Sequence, residues 1–320
     1  MPRLRRVQPG VDLGYRRTRA GAGFRYTDAD GGALPEDERE RVVSLVIPPA
    51  WTDVWISAAP NGHIQATGVD DAGRLQYLYH PDWSVGRDKG KYTRALQLAG
   101  ALPRARGRVT TSLRRADLDR ERVLATAFRF LDLAAPRVGS ERYLVTHGSR
   151  GLTTLRRRDA TTSASVVSLR FRGKSGKKQH LEIDDDELAE VVALLVAGRP
   201  ASPLLAYERG RRRVPLTPKD VNAYVRAMTG GAFTAKDFRT LRGTILAADA
   251  LARIGAAGSK TDRKRAEVLA VKAAAEALGN TPTVAKSSYI DPRVFARYRR
   301  GRLLDVTVSP ETAIRTLLLG

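Results

Sequence analysis

Tyr289 stands behind the helix-ending pair Gly279-Asn280 and a Thr281-Pro282 turn. A phenol with an ordinary pKa near ~10 is a weak nucleophile at neutral pH, but adjacent cations stabilise its phenolate. Two arginines upstream fit that need: Arg137 in Pro136-Arg137-Val138-Gly139-Ser140, and Arg239 in Lys236-Asp237-Phe238-Arg239-Thr240. A pentacoordinate phosphorane calls for two such groups, because each guanidinium offers a planar fork to nonbridging oxygens and keeps its charge at neutral pH. Preorganised cations of this kind commonly supply the largest share of a barrier reduction. Lys174, in Arg172-Gly173-Lys174-Ser175-Gly176-Lys177, falls at the tip of an expected hairpin and could protonate a leaving alkoxide. Neighbouring arginines would draw its pKa down from the reference ~10.4 toward a range useful for an acid. The amide NH2 of Asn280 can donate to a phosphate oxygen. Together these five residues describe a phosphate clamp around a tyrosine nucleophile.

Three of them have a plainer reading. An arginine just past a helix end often only complements the last carbonyls, and an asparagine after glycine is often a turn residue. A hairpin-tip lysine is usually solvated. Arg239 opens a helix, where a cation opposes the dipole, which hints at another duty. Gly173-Lys174-Ser175 is not a nucleotide loop, since residue 168 is Ser where that motif needs Gly, and strands flank it on both sides.

The chain that carries these groups has 320 residues, 56 Lys plus Arg against 34 Asp plus Glu, and a formal net charge of +22. An excess of that size sustains a positive potential whose natural partner is a polyphosphate. There is no cysteine, which excludes disulfides, thiolate metal sites and cysteine nucleophiles. The four histidines (His63, His80, His147, His180) show no metal-ligand spacing, so no metal and no other cofactor is expected. No apolar run approaches the ~20 residues of a membrane span, and the basic start lacks an apolar h-region. A bacterial-type cytoplasm, on the nucleoid, is the expected location.

The expected elements place the clamp in the second of two domains. The first thirty or so residues, rich in Gly and Arg, read as an irregular arm. Pro35 and the acids Glu36 to Glu40 open a short helix that Pro48-Pro49 stops. Val54 to Ser57 and His63 to Gly68 flank the turn signal Pro60-Asn61-Gly62, and Arg74 to Tyr79 follows a turn at Asp70-Asp71-Ala72-Gly73. Ser84 to Lys91 reads as a linker. Helices are expected over Asp117 to Ala135, Lys219 to Met228 behind the cap Thr217-Pro218, Leu241 to Ile254 and Thr261 to Leu278. Val166 to Phe171 and Gln179 to Ile183 alternate on either side of the Lys174 turn and form a hairpin. The expectation is an α+β protein: a small antiparallel β domain over residues 1–88 and a larger, mainly helical catalytic domain over residues 89–320.

Five blocks of sequence now point to a family. They are Ile47-Pro48-Pro49-Ala50-Trp51-Thr52-Asp53-Val54-Trp55-Ile56, Gly62-His63-Ile64-Gln65-Ala66-Thr67-Gly68, Arg137-Val138-Gly139, Lys236-Asp237-Phe238-Arg239-Thr240, and Leu278-Gly279-Asn280-Thr281-Pro282 through Tyr289. In order and spacing they cover nearly the whole chain. The chain resembles the small, poxvirus-like type IB DNA topoisomerases, in particular their bacterial, Deinococcus-type branch. The resemblance implies catalytic roles for Arg137, Lys174 as general acid, Arg239 and Tyr289 as nucleophile. Asn280 falls where most members have histidine; it can donate the same hydrogen bond without adding charge.

The resemblance further implies a monomer that closes as a two-lobed clamp on double-stranded DNA, with Gln76, Tyr77 and Tyr79 at positions that meet the major groove. As residues on a strand, Tyr77 and Tyr79 share one face and Gln76 takes the other, and core packing is the plainer account of the tyrosine pair. The expected activity is relaxation of supercoiled DNA through a 3′-phosphotyrosyl intermediate, without ATP or metal. Two alternatives stand beside it. A tyrosine recombinase typically carries H-x-x-R, where this chain has Lys236. A noncatalytic basic DNA-binding protein would hold DNA without forming an adduct.

Overall fold

Asn61-Gly62 turns the chain between two strands, as its composition predicts, and the Gly62 N–H closes that turn on the Ala59 carbonyl at 2.9 Å. The computed structural model describes residues 3–71 and 73–320, with the side chains of residues 84–89 and 175 left out of the description. Contacts divide the chain into two units, Met1–Gly90 and Lys91–Gly320.

The first unit holds β1 (Gly14–Ala20), β2 (Gly23–Thr27), α1 (Glu36–Ser44), β3 (Thr52–Ser57), β4 (Ile64–Val69) and β5 (Leu75–Tyr79). The five strands form one antiparallel sheet in the order β2-β1-β3-β4-β5. Its core joins Val42 of α1 to Ile47, Val54, Ile56 and Ala66. The expectation of an irregular arm is corrected here, because β1 and β2 are a hairpin that extends the sheet. Arg17 explains how so basic a segment becomes a strand. Its side chain is buried, its guanidinium donates to the carbonyls of Ile47, Pro48 and Trp51, and it lies 4.1 Å from the Phe24 ring. Cross-strand pairing to β3 and these long-range acceptors supply what local propensity does not. The turn expected after Val69 closes through Gly73 N–H to Asp70 O at 2.8 Å, and its Ala72 lies outside the described residues.

α2 runs over Pro81–Leu113, so the segment expected as a linker is helical instead. Gly86 and Gly90 weaken a helix by about 1 kcal/mol each, a cost the rest of so long a helix offsets. The second unit continues with α3 (Arg120–Ala134), α4 (Glu141–His147), β6 (Ala160–Ser163), β7 (Val166–Arg172), β8 (Lys178–Asp184), α5 (Asp186–Val196), β9 (Ala206–Arg209) and β10 (Arg212–Pro215). It closes with α6 (Pro218–Thr229), α7 (Ala235–Ile254), α8 (Lys260–Ala277), α9 (Pro282–Ser288), α10 (Arg293–Arg299) and α11 (Pro310–Leu319). The expected α+β class is observed: a small antiparallel sheet, then a mainly helical region with a β-hairpin. Phe128 of α3 meets Phe238 of α7 edge to face, 5.3 Å between centroids, in a core shared by most of these helices.

Two boundaries differ from expectation for the same reason. α7 starts six residues before Leu241 because Thr234 and Asp237 form a capping box, with Thr234 N–H to Asp237 Oδ2 at 2.8 Å. Thr281-Pro282 is not a plain turn: Thr281 caps α9, accepting from Val284 N–H at 3.3 Å, and Pro282 sits in its first turn. Among the described residues no helix is long and apolar enough to cross a membrane.

Candidate active site

Tyr289 is set by its neighbour helix. It follows the last residue of α9, and its N–H bonds to Ala285 O at 3.0 Å. Its backbone lies against Gly243 of α7, where a Cβ would come within 2.8 Å of the Tyr289 carbonyl oxygen and 3.1 Å of its Cβ. The neighbouring Thr244 hydroxyl donates to that same carbonyl at 3.3 Å. Arg239 lies four residues before Gly243, hence on the same helix face. Its guanidinium carbon stands 4.9 Å from the Tyr289 ring centroid. The helix that seats the phenol therefore also carries the cation beside it.

Arg239 is buried, with 5% of its surface exposed, and among the described residues no carboxylate pairs with it. It donates instead to the Ala135 carbonyl at 2.6 Å and the Leu278 carbonyl at 2.8 Å. Those residues are the C-caps of α3 and α8, so two negative helix ends hold the cation without cancelling it. Its Nε makes no hydrogen bond. The carbonyl that Arg137 could have complemented is thus already occupied by Arg239.

Arg137 reaches elsewhere. Its Nη2 donates to the side-chain oxygen of Asn280. Asn280 is itself fixed by its N–H bonding to Ala275 O at 2.8 Å, past the left-handed Gly279. With its oxygen engaged, the Asn280 amide nitrogen is buried and has no partner among the described residues. A buried donor without a partner costs stability, and an incoming phosphate oxygen is the kind of group that would satisfy it.

Electrostatics follow from this packing. Burial pushes the Tyr289 phenol up, but the charges of Arg239, Arg137 and Lys236 outweigh it and hold the pKa below the ordinary 10.0. Burial lowers Arg239, and repulsion from Arg137 lowers it further, while Tyr289 acts in the opposite sense. Burial likewise lowers Arg137, again opposed by Tyr289. An arginine starts so high that it stays charged through such a shift.

Lys174 is exposed at the tip joining β7 to β8, where Gly173 N–H bonds to Lys177 O at 2.8 Å. It lines one cleft with Arg137, Arg239, Arg150 and Gln179. Arg150 pairs with buried Asp159 at 2.9 Å and leaves its Nε without a partner. Four residues of this neighbourhood escaped sequence reasoning in these roles: Arg150, Gln179, Gly243 and Lys236. Lys236 alone carried a signal, being noted as the residue in place of a recombinase histidine.

Gln76, Tyr77 and Tyr79 belong to the first unit, and the five residues above belong to the second. On the edge strand β5 the rings of Tyr77 and Tyr79 stack, 5.9 Å between centroids and 14° between planes. Tyr77 is 43% exposed, and it is Leu78, pointing the other way, that packs on the core. Gln76 Nε2 donates to Asp70 Oδ2 at 2.7 Å. The core-packing account of Tyr77 therefore does not hold.

Residues 81–300 match the family described as eukaryotic DNA topoisomerase I, catalytic core, and residues 23–70 match the bacterial DNA topoisomerase IB, N-terminal domain. A relative named DNA topoisomerase 1B, from Acanthamoeba polyphaga mimivirus, is 29% identical over 327 aligned positions, covering 96% of this chain and 97% of the relative. With a match of that extent over the helical unit, and the bacterial N-terminal match ahead of it, the chain belongs to the type IB DNA topoisomerases.

Proposed function

We propose that this topoisomerase relaxes supercoiled duplex DNA by cutting one strand through Tyr289. The phenol oxygen attacks a backbone phosphorus and loses its proton to solvent. The bond from phosphorus to the 5′ oxygen breaks, leaving a 3′-phosphotyrosyl link and a 5′-hydroxyl. Arg137, Arg239 and Asn280 bind the nonbridging oxygens of the phosphorane, and Lys174, together with Arg137, delivers the proton to the departing oxygen. The cut strand swivels about its partner under torsion, and the 5′-hydroxyl then reverses the step. The covalent link conserves the energy of the phosphodiester, so the cycle needs neither ATP nor a metal.

The observation that carries this reading is the Arg239 guanidinium over the Tyr289 ring, with Arg137 adding a second cation that favours the phenolate. We further propose that residues 1–88 and 89–320 act as the two lobes of a monomeric clamp on double-stranded DNA. The division of internal contacts after Gly90 supports the boundary. The exposed, stacked face of Tyr77 and Tyr79 supports a groove contact for β5, with Gln76 beside it. The proposed location is the cytoplasm, on the nucleoid.

The test is relaxation of negatively and positively supercoiled plasmid with EDTA present and ATP absent, for wild type and Tyr289→Phe. Relaxation of both signs by wild type alone is the expected result. Activity retained in Tyr289→Phe would remove Tyr289 as nucleophile.

A further inference from the structure

Gln179, on β8 just past the Lys174 tip, has no role in the chemistry above, yet it lines the same cleft as Arg137, Lys174 and Arg239. Its half-buried side chain lies between two glycines. A Cβ at position 173 would come within 2.8 Å of Gln179 Cγ. A Cβ at position 279 would come within 2.0 Å of its Oε1 and 2.7 Å of both Cδ and Nε2. Gly173 immediately precedes Lys174, and Gly279 immediately precedes Asn280. The Gln179 side chain thus fills the space between the backbone that carries the acid and the backbone that carries the phosphate-binding amide.

The contact is steric. Among the described residues, Gln179 Nε2 donates only to the carbonyl of its own neighbour Lys178, at 3.3 Å. The hairpin is otherwise tied at the tip end of β7, by Arg150 N–H to Arg172 O at 2.8 Å, and within its own tip, by Gly173 N–H to Lys177 O at 2.8 Å and Gly176 N–H to Gly173 O at 3.2 Å. None of these bonds reaches the end of α8, where the Asn280 turn begins. Gly279 holds a left-handed φ of +61°, and without a Cβ it lets the amide rest directly on the main chain.

We propose that Gln179 is a positioning residue whose side chain sets the distance between the Lys174 tip and the Asn280 turn, so that both reach one phosphodiester. This rests on the assignment of Lys174 as general acid. As the Tyr289 oxygen bonds to phosphorus and the 5′ oxygen departs, one ammonium proton of Lys174 passes to that oxygen. A misplacement of about 1 Å in such a transfer costs on the order of 10²-fold in rate.

The experiment is single-turnover cleavage of a duplex whose cleavage site has been mapped with wild type, made with either oxygen or sulfur at the bridging 5′ position. A thiol has a pKa near ~8.5, far below an alcohol, so the sulfur departs without a proton donor. Gln179→Ala is expected to cut the oxygen substrate about 30- to 100-fold more slowly than wild type, and the sulfur substrate within about threefold of it. Duplex affinity and Tm should be unchanged, and Gln179→Met, which keeps the unbranched spacer, should recover most of the rate. Wild-type speed of Gln179→Ala on oxygen, or equal slowing on both substrates, overturns the proposal. Lys174→Ala separates the two levels. If sulfur fails to rescue it, the acid assignment falls and this inference with it. If sulfur rescues Lys174→Ala but not Gln179→Ala, this inference alone falls.

Discussion

Arg137 donates to the side-chain oxygen of Asn280, and this bond fixes which way the Asn280 amide points: its nitrogen is left buried and unpartnered. The family resemblance implies histidine at this position, and the bond with Arg137 sets what such a side chain would have to do there. It must accept from Arg137 on one side and donate on the other.

A neutral imidazole meets both demands, with one nitrogen accepting and the other donating. Asn280→His is therefore expected to cleave at least as fast as wild type, and Asn280→Ala about 10²- to 10³-fold more slowly, as for loss of one transition-state donor. Single-turnover cleavage at saturating protein checks both. Complete inactivation of Asn280→His would sink the shared-donor argument.

The cations beside Tyr289 set its titration. A phenol is charged above its pKa, so a lowered pKa brings the phenolate in at lower pH than for free tyrosine. Lys236 is exposed on α7 and contributes to the lowering. Lys236→Ala should move the Tyr289 midpoint to higher pH, and Lys236→Arg should hold it near the wild-type value. An NMR titration of ring-labelled tyrosines, with Tyr289→Phe to assign the signal, reads this directly; a midpoint at or above 10.0 in wild type contradicts it.

Gly243 is the floor on which the Tyr289 backbone rests. Gly243→Ala would press a methyl against the Tyr289 carbonyl at 2.8 Å and Leu278 Cδ1 at 3.0 Å. Overpacking of this kind costs about 1–3 kcal/mol, and each kcal/mol lowers the Tm of a domain this size by about 2–4 °C. Cleavage should fall on the order of 10²-fold, because the nucleophile is displaced rather than removed. A calorimetric scan and a cleavage time course together distinguish this from simple unfolding.

Tyr77 and Leu78 are neighbours on β5 with opposite expectations. Tyr77→Ala should weaken duplex binding about tenfold, about 1.4 kcal/mol, with little change in Tm, since the side chain is exposed and stacks on Tyr79. Leu78→Ala should lower the Tm instead, because Leu78 packs on the first unit's core. Fluorescence anisotropy on a labelled duplex and thermal melts give the two readouts.

Much of this was legible in the chain. The Asn61-Gly62 turn, the Thr217-Pro218 cap with α6 behind it, and the hairpin that carries Lys174 all rest on local rules, and all appear where those rules put them. The types of Arg137, Lys174, Arg239, Asn280 and Tyr289 suggest the phosphate clamp proposed above. The β1–β2 hairpin was not legible, because what makes Arg17 a strand residue is a set of carbonyls some thirty positions away.

Tertiary structure alone decided how these side chains are held. Nothing local assigns the carbonyls of Ala135 and Leu278 to Arg239, turns Arg137 to Asn280, or seats Tyr289 on Gly243. Residue type sets what a side chain can do, and short spacing sets which helix face or strand face it shares. Which partners it meets across a hundred positions depends on how the helix ends converge, and that convergence comes from burying the whole core at once.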